Sequence, residues 1–217
     1  MPAAEDPALT YTSYLALDEV LSAQRPRSDE HDEMLFIVVH QVYELWFKQL
    51  LHELRHVQRK LEGGESAHAL HTLKRVLTIL KVVVAQIDVL ETMTPRQFLG
   101  FRARLESASG FQSKQFRDIE TLLPTLFDSL VAYLGIRGDI EDGLVAVYAA
   151  DDVGAQICER FVDLDEGLQE WRYRHVKMVE RTIGDAHGTG GSKGAAYLRT
   201  TLSKPMFPAL WSIRNRL

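Results

Sequence analysis

Phe161 to Ser192 reads FVDLDEGLQEWRYRHVKMVERTIGDAHGTGGS, and this stretch decides the fold class. Ile157, Phe161, Leu164, Leu168, Trp171, His175, Met178 and Thr182 recur at steps of four and three, so they share one face of a single helix. Gly184 is placed to end it, and the run Gly188-Thr189-Gly190-Gly191-Ser192 is too rich in glycine to continue it. His175 therefore sits on an inward stripe, with a polar loop close behind. Taken alone, such a histidine reads as a hydrogen-bonded core residue; other parts of the chain must give it a function.

Outward from that helix the same period dominates. A short helix with Tyr11, Tyr14 and Leu15 near its start runs to Ala23, and Pro26 follows. Ser28 or Asp29 is a candidate cap for a long helix from His31 to Leu61. Two stripes mark it, aliphatic Leu35, Val38, Val42 and Leu45, and aromatic Phe36, His40, Tyr43 and Phe47; two buried faces predict a helix at the centre of a bundle. After the Gly63-Gly64 turn, Leu70, Leu73, Leu77, Leu80, Val84, Ile87 and Leu90 repeat as in a coiled-coil seam. Thr94-Pro95 is a cap followed by proline at the first helical position. The loop Ser107 to Ser113 leads into a helix holding Arg117, which Pro124 is expected to break. The long helix quoted above begins near Leu144 or after Gly154, Ala195 to Leu202 is helical, and Phe207 to Trp211 starts a last helix. No segment alternates with period two, so the fold class is an all-α helical bundle, read as one domain over residues 1–217.

Composition narrows the function. The 217 residues carry a formal net charge of −5 with acids and bases interspersed, which asks for neither nucleic acid nor an anionic membrane. No apolar run spans a bilayer, and the N-terminus lacks a signal core, so a cytoplasmic protein is expected. Cys158 is the only cysteine, which rules out an intrachain disulfide or a thiolate-rich zinc site. His52-Glu53-Leu54-Arg55-His56 matches the helical zinc-protease pattern, but its histidines continue a row through Gln49 and no third ligand follows, so a solvated face is preferred. His68 and His71 also read as surface residues.

Three positions are better suited to chemistry. His40 lies among aromatics, where a neutral imidazole can accept a hydrogen bond from a flat aromatic substrate. Arg117 follows a Ser/Gly loop and can grip a carboxylate through two parallel hydrogen bonds, or form a structural ion pair. His175, facing the interior without cysteines or clustered acids nearby, suits a haem axial ligand better than a zinc site.

Four blocks carry a resemblance to a known family: LTYTSYLALDEVLSAQ at Leu9–Gln24, HDEMLFIVVHQVYELW at His31–Trp46, SGFQSKQFR at Ser109–Arg117, and WRYRHVKMVERTIG continuing to GTGGS at Trp171–Ser192. With the ending FPALWSIRNRL, they resemble the haem-dependent tryptophan 2,3-dioxygenases. The resemblance implies that His175 is the proximal ligand of haem b iron, that His40 faces the indole N–H, and that Phe36 lines the indole pocket. It further implies that Arg117 binds the substrate carboxylate, that Thr189 lies near the ammonium and carboxylate, and that Tyr11, Tyr14 and Leu15 reach a neighbouring subunit's site. Residues 1–25 would then be an arm within a homotetramer or dimer. The expected reaction adds O2 across the C2–C3 bond of L-tryptophan to give N-formylkynurenine.

The chain departs from the family in several places. It is shorter between Leu123 and Pro124 and between Gly135 and Gln156. Gln41-Val42-Tyr43 stands where Gln-Thr-Ser is common, and Lys193 where a second serine is usual. These departures keep two alternatives open: mono-oxygenation of a substituted tryptophan in a natural-product pathway, and a haem- or indole-binding protein without turnover.

Overall fold

The computed structural model describes residues 8–189 and 194–217; the end of the glycine-rich motif and Lys193 lie outside the described residues. In chain order the helices are α1 (Tyr11–Tyr14), α2 (Leu17–Leu21), α3 (His31–Glu62), α4 (Ser66–Leu90), α5 (Pro95–Arg102), α6 (Lys114–Tyr133), α7 (Ile140–Ala150), α8 (Val153–Ile183), α9 (Ala195–Arg199) and α10 (Pro208–Ser212). There is no strand among the described residues, as the absence of period-two alternation requires.

The long helices α3, α4, α6 and α8 form the bundle, and polar pairs fix their register. Arg75 meets Glu53 at 3.1 Å, so α3 and α4 run antiparallel. Gln115 donates to the Glu44 carbonyl and Gln58 to Ser129 Oγ, so α6 runs alongside α3 in the same direction. Arg174 pairs with Asp88 and Glu91, setting α8 against the end of α4. The square closes through side chains, Arg172 to Glu120 at 2.7 Å and Phe116 on Trp171 with ring centroids 4.8 Å apart. As a result the start of α3, the end of α4, the start of α6 and the end of α8 all gather at one end of the bundle.

The core follows the predicted stripes with one exception. Leu73, Leu80, Ile87 and Leu90 of α4 and Ile157, Phe161, Leu164 and Leu168 of α8 are buried, each burial stabilising by about 1.5–3 kcal/mol. On α3, Tyr43 and Phe47 turn inward, whereas Val38 and Leu45 of the aliphatic stripe are exposed. Only one of the two apolar faces of α3 is therefore buried within the chain.

Several local expectations are corrected. Pro124 does not break α6, which runs through it. Proline removes one N–H from the ladder, but fully buried Leu123, Leu126 and Leu130 hold both halves on the core. Neither Ser28 nor Asp29 is the cap of α3; Glu30 is, and the buried carboxylate of Glu33 instead accepts from the backbone N–H groups of Arg27 and Ser28 at 2.8 Å each. The helix expected from Tyr11 to Ala23 is split by Ala16, whose φ is +49°. α8 begins at Val153 under an Asp152 cap, with α7 a separate helix, and α9 ends at Arg199, short of the expected Leu202.

After Gly135 the turn into α7 is tight. A side chain at Gly143 would come within 2.4 Å of Ile136, so glycine is needed for that closure. The C-terminus then staples α7 down: Arg216 pairs with Asp142, Arg214 pairs with Glu159, and Tyr148 donates to Glu159.

A fully buried carboxylate latches the last helix to α8. Asp165 accepts from the Phe207 backbone N–H and from Trp211 Nε1 at 2.9 Å each, and from Gln169. Asp165→Ala leaves those donors unpaired and is expected to lower stability by about 3 kcal/mol in urea unfolding. A loss below about 1 kcal/mol would show that the latch contributes little.

Candidate active site

His40 lies three turns into α3 and His175 near the end of α8. Register brings both to the same end of the bundle, close enough that His40 opposes the charging of His175. Both keep some accessible surface, yet are surrounded closely enough that burial dominates their titration. Burial pushes His175 down to about 4, and the nearby His40 adds to the effect. His40 is also lowered by burial, offset in part by its bond to the Phe36 carbonyl and by Glu44. Both imidazoles are therefore neutral at neutral pH.

The tautomer of His40 follows from chemistry. Its Nδ1 lies 2.6 Å from the Phe36 carbonyl oxygen, which can only accept, so Nδ1 carries the proton and Nε2 keeps a lone pair. Phe36 packs on His40 at 4.0 Å between ring centroids and continues into Phe98 and Phe101 of α5 at 5.9 and 5.5 Å. The result is an aromatic wall beside one histidine. The other histidine is held differently: the Trp171 indole, one turn earlier on α8, stacks on the His175 ring at 5.1 Å with planes 7° apart.

Nothing in the described surroundings of His175 hydrogen-bonds its ring to offset burial. A neutral, unpaired imidazole is the donor that an iron porphyrin requires. Among the described residues no three His, Cys, Asp or Glu side chains cluster in a way that could hold a bare metal ion. Glu53 of the protease-like motif is buried, bonded to Gln49 and Arg75, while His52 is exposed; the pattern is a helix-pairing device.

Arg117 is exposed at the start of α6 and donates to the carbonyls of Phe111 and Gln112, which close the short 3-10 turn Gly110–Gln112. Phe111 packs edge-on against Tyr197 of α9 at 5.3 Å. Arg102 of α5 donates to the His187 carbonyl. At the far side of the loop, Gly194 has φ +62°, and a Cβ there would lie 2.5 Å from the Ala186 carbonyl oxygen, so the two ends of the loop pinch together. Thr189, the last of the described residues 8–189, is half-buried.

Helix register thus puts Phe36, His40, Arg117 and His175 at one end of the bundle, with Thr189 following the end of α8. Tyr11, Tyr14 and Leu15 do not join them: all three are exposed, Tyr11 and Tyr14 at 75% and 71%. Among the described residues, the arm's hydrogen bonds to α3 lie further along, where Gln24 donates to Gln41 at 2.6 Å and Gln41 donates to the Ala23 carbonyl. The sequence reading missed Phe98 and Phe101, two aromatics in a short capped helix whose spacing carries no functional signal. It also missed Arg172, which looks like a surface charge in sequence but is buried, donating to the carbonyls of Thr201 and Lys204 and pairing with Glu120.

The family model described as tryptophan 2,3-dioxygenase matches residues 2–137 and 136–217. The chain is 58% identical over 262 aligned positions to a tryptophan 2,3-dioxygenase of Anaeromyxobacter sp. (strain K), covering all of this chain and 99% of that protein. It is 51% identical to one from Herpetosiphon aurantiacus, covering 97% and 99%, and 36% identical to one from Pseudomonas fluorescens, covering 97% and 92%. Set against the chain's 217 residues, the 262 positions of the first alignment leave 45 that have no counterpart here. The family match divides at 136–137, at the tight turn into α7.

Acid should act on this site with a defined sign. The unfolded chain protonates its histidines below the ordinary value of 6.5, while folded His175 resists down to about 4, so the unfolded state binds more protons in that window. Stability of the ligand-free protein should therefore fall as pH drops from 6.5 and level off only near 4. His175→Phe should lose less of its urea midpoint than the parent between neutral pH and about 4.5. Equal losses would mean that His175 is not held neutral.

Proposed function

Because the chain belongs to the tryptophan 2,3-dioxygenase family, and is therefore an oxidoreductase, we propose that it uses haem b to open the indole ring of L-tryptophan, giving N-formylkynurenine. What supports this reading is that two neutral histidines lie near one another at one end of the bundle beside an aromatic wall, one unpaired and the other with its Nδ1 proton already committed. His175 would hold the haem iron, and the haem, once bound, supplies O2 binding and activation.

The chain's own residues do the rest. Nε2 of His40 accepts from the indole N–H and turns the C2–C3 edge toward the oxidant. Phe36, with Phe98 and Phe101 behind it, forms the apolar slot for the ring and keeps water from it. Arg117 exchanges its carbonyl partners for the substrate carboxylate, a stronger charge-assisted pair, while Thr189 serves the ammonium and carboxylate from the glycine loop. The grip on an amino acid backbone favours turnover over passive gas or indole binding.

An oligomer belongs to the same proposal. Tyr11, Tyr14 and Leu15 are exposed within one chain, and so are Met34, Val38 and Leu45 on the outer face of α3. Such apolar surface supports an arm seated on a neighbouring subunit and a homotetramer or dimer. No helix among the described residues is long and apolar enough to cross a membrane, which fits a cytoplasmic location.

Single turnover of the haem-loaded, anaerobically reduced protein with L-tryptophan and 18O2 should give a ring-opened product with both labelled atoms. One labelled atom would replace dioxygenation with mono-oxygenation. His175→Ala should abolish the normal ferrous Soret spectrum; retention of that spectrum removes His175 as the ligand. Arg117→Ala should lower kcat/KM by about 10- to 100-fold, mainly through KM, and unchanged kinetics would take Arg117 out of the site.

A further inference from the structure

Among the described residues one lysine or arginine is buried, Arg172 of α8, at 8% exposure. Its guanidinium is engaged on two sides. Nη2 pairs with Glu120 of α6 at 2.7 Å, and Nη1 donates to the carbonyls of Lys204 and Thr201 at 3.0 and 3.4 Å. The proposed chemistry gives Arg172 no part, so its burial needs another reason. Taking a guanidinium out of water is costly, and a single ion pair seldom repays it in stability. What a buried guanidinium does supply is fixed geometry, since its N–H groups lie in one plane at set angles.

The partners show what is being fixed. Glu120 follows Arg117 by one turn of α6, so the two side chains are neighbours on that helix. Arg117 donates to the Phe111 carbonyl, and the Phe111 ring packs on Tyr197 of α9. The turns that end α9 lead on to Thr201, whose carbonyl is back at Arg172. The contacts thus close a circuit from Arg117 through Phe111, Tyr197, Thr201, Arg172 and Glu120 to Arg117 again. Arg172 lies three residues before His175, so the circuit is anchored on the helix that carries that histidine.

Asp165, two turns earlier on α8, ties the later part of the same segment, at Phe207 and Trp211. One buried acid and one buried base of α8 therefore hold the chain from Thr201 to Trp211 at both ends. The base alone of these two connects onward to the helix of Arg117.

We propose that Arg172 is a positioning residue which, through Glu120 and the segment after α9, sets where Arg117 stands and so tunes affinity for the carboxylate end of the substrate. This rests on the reading that Arg117 takes the substrate carboxylate. A lysine could not replace it, because an ammonium is a point donor that cannot span a carboxylate on one side and two carbonyls on the other.

Two variants test the role: Arg172→Lys, and Glu120→Gln, which keeps the acceptor and shape but loses the charge. Asp165→Asn is the control, since it loosens the same segment elsewhere. Hydrogen exchange of the full chain, read by mass spectrometry, should be about 10-fold faster over residues 195–204 in Arg172→Lys and unchanged in α3 and α4. In the ferrous haem-loaded protein both variants should bind L-tryptophan about 10-fold more weakly than the parent, and tryptamine, which lacks the carboxylate, within about twofold. Asp165→Asn should lower the urea midpoint and leave the ratio of the two affinities unchanged. Unchanged exchange, equal weakening of both ligands, or a ratio that moves as far in Asp165→Asn overturns the proposal. If Arg117→Ala itself leaves that ratio unchanged, or the parent binds neither ligand, the underlying reading of the site fails and the carboxylate role with it. Faster exchange over residues 195–204 would then still show Arg172 holding the segment.

Discussion

The stack of Trp171 on His175 is the constraint around which the rest of the bundle is arranged. It places an imidazole in the interior without a hydrogen bond to the described residues, which is costly unless a ligand completes it. Phe116 and Phe47 wedge the same indole from α6 and α3, at 4.8 and 6.1 Å. One aromatic residue thus connects three helices to the histidine, and any change in their spacing is felt at its ring nitrogen.

The bundle's polarity turns that local arrangement into a site. Because α3 and α6 run one way and α4 and α8 the other, four helix ends gather where His40, Arg117 and His175 lie. At the opposite end α7 and the C-terminal residues close the fold with ion pairs, Arg214 with Glu159 and Arg216 with Asp142. The chain has 45 fewer residues than its alignment with a relative has positions, and the division in the family match falls at the turn into α7, away from those helix ends. Continuous α6, running through Pro124, is part of the same economy of length.

Legibility in the sequence varied with the physics of each element. The inward face of α8 was readable residue by residue, since a helix that packs on one side must repeat its apolar positions at 3.6. The Thr94-Pro95 cap was readable because its signal is local, and the structure has the full capping box with Gln97. Pro124 misled because its cost is local while its remedy, three buried leucines, is tertiary. The aliphatic stripe of α3 misled for a related reason: an apolar face looks the same whether its partner is in the same chain or absent from it. Arg172 was invisible because a charge becomes internal only when carbonyls from a distant segment come to meet it.

By itself the sequence determined the helical class, the long helices, the pairing of a deep histidine with a glycine loop, and the resemblance that joined four separated blocks. Those follow from periodicity, capping and composition, which act over a few turns of chain. Only the tertiary structure decided that His40 and His175 come near one another, that both are neutral, that Phe98 and Phe101 extend the aromatic wall begun by Phe36, and that Tyr43 meets Trp171. Those depend on helix register and on how much water each side chain keeps, quantities that no single segment carries.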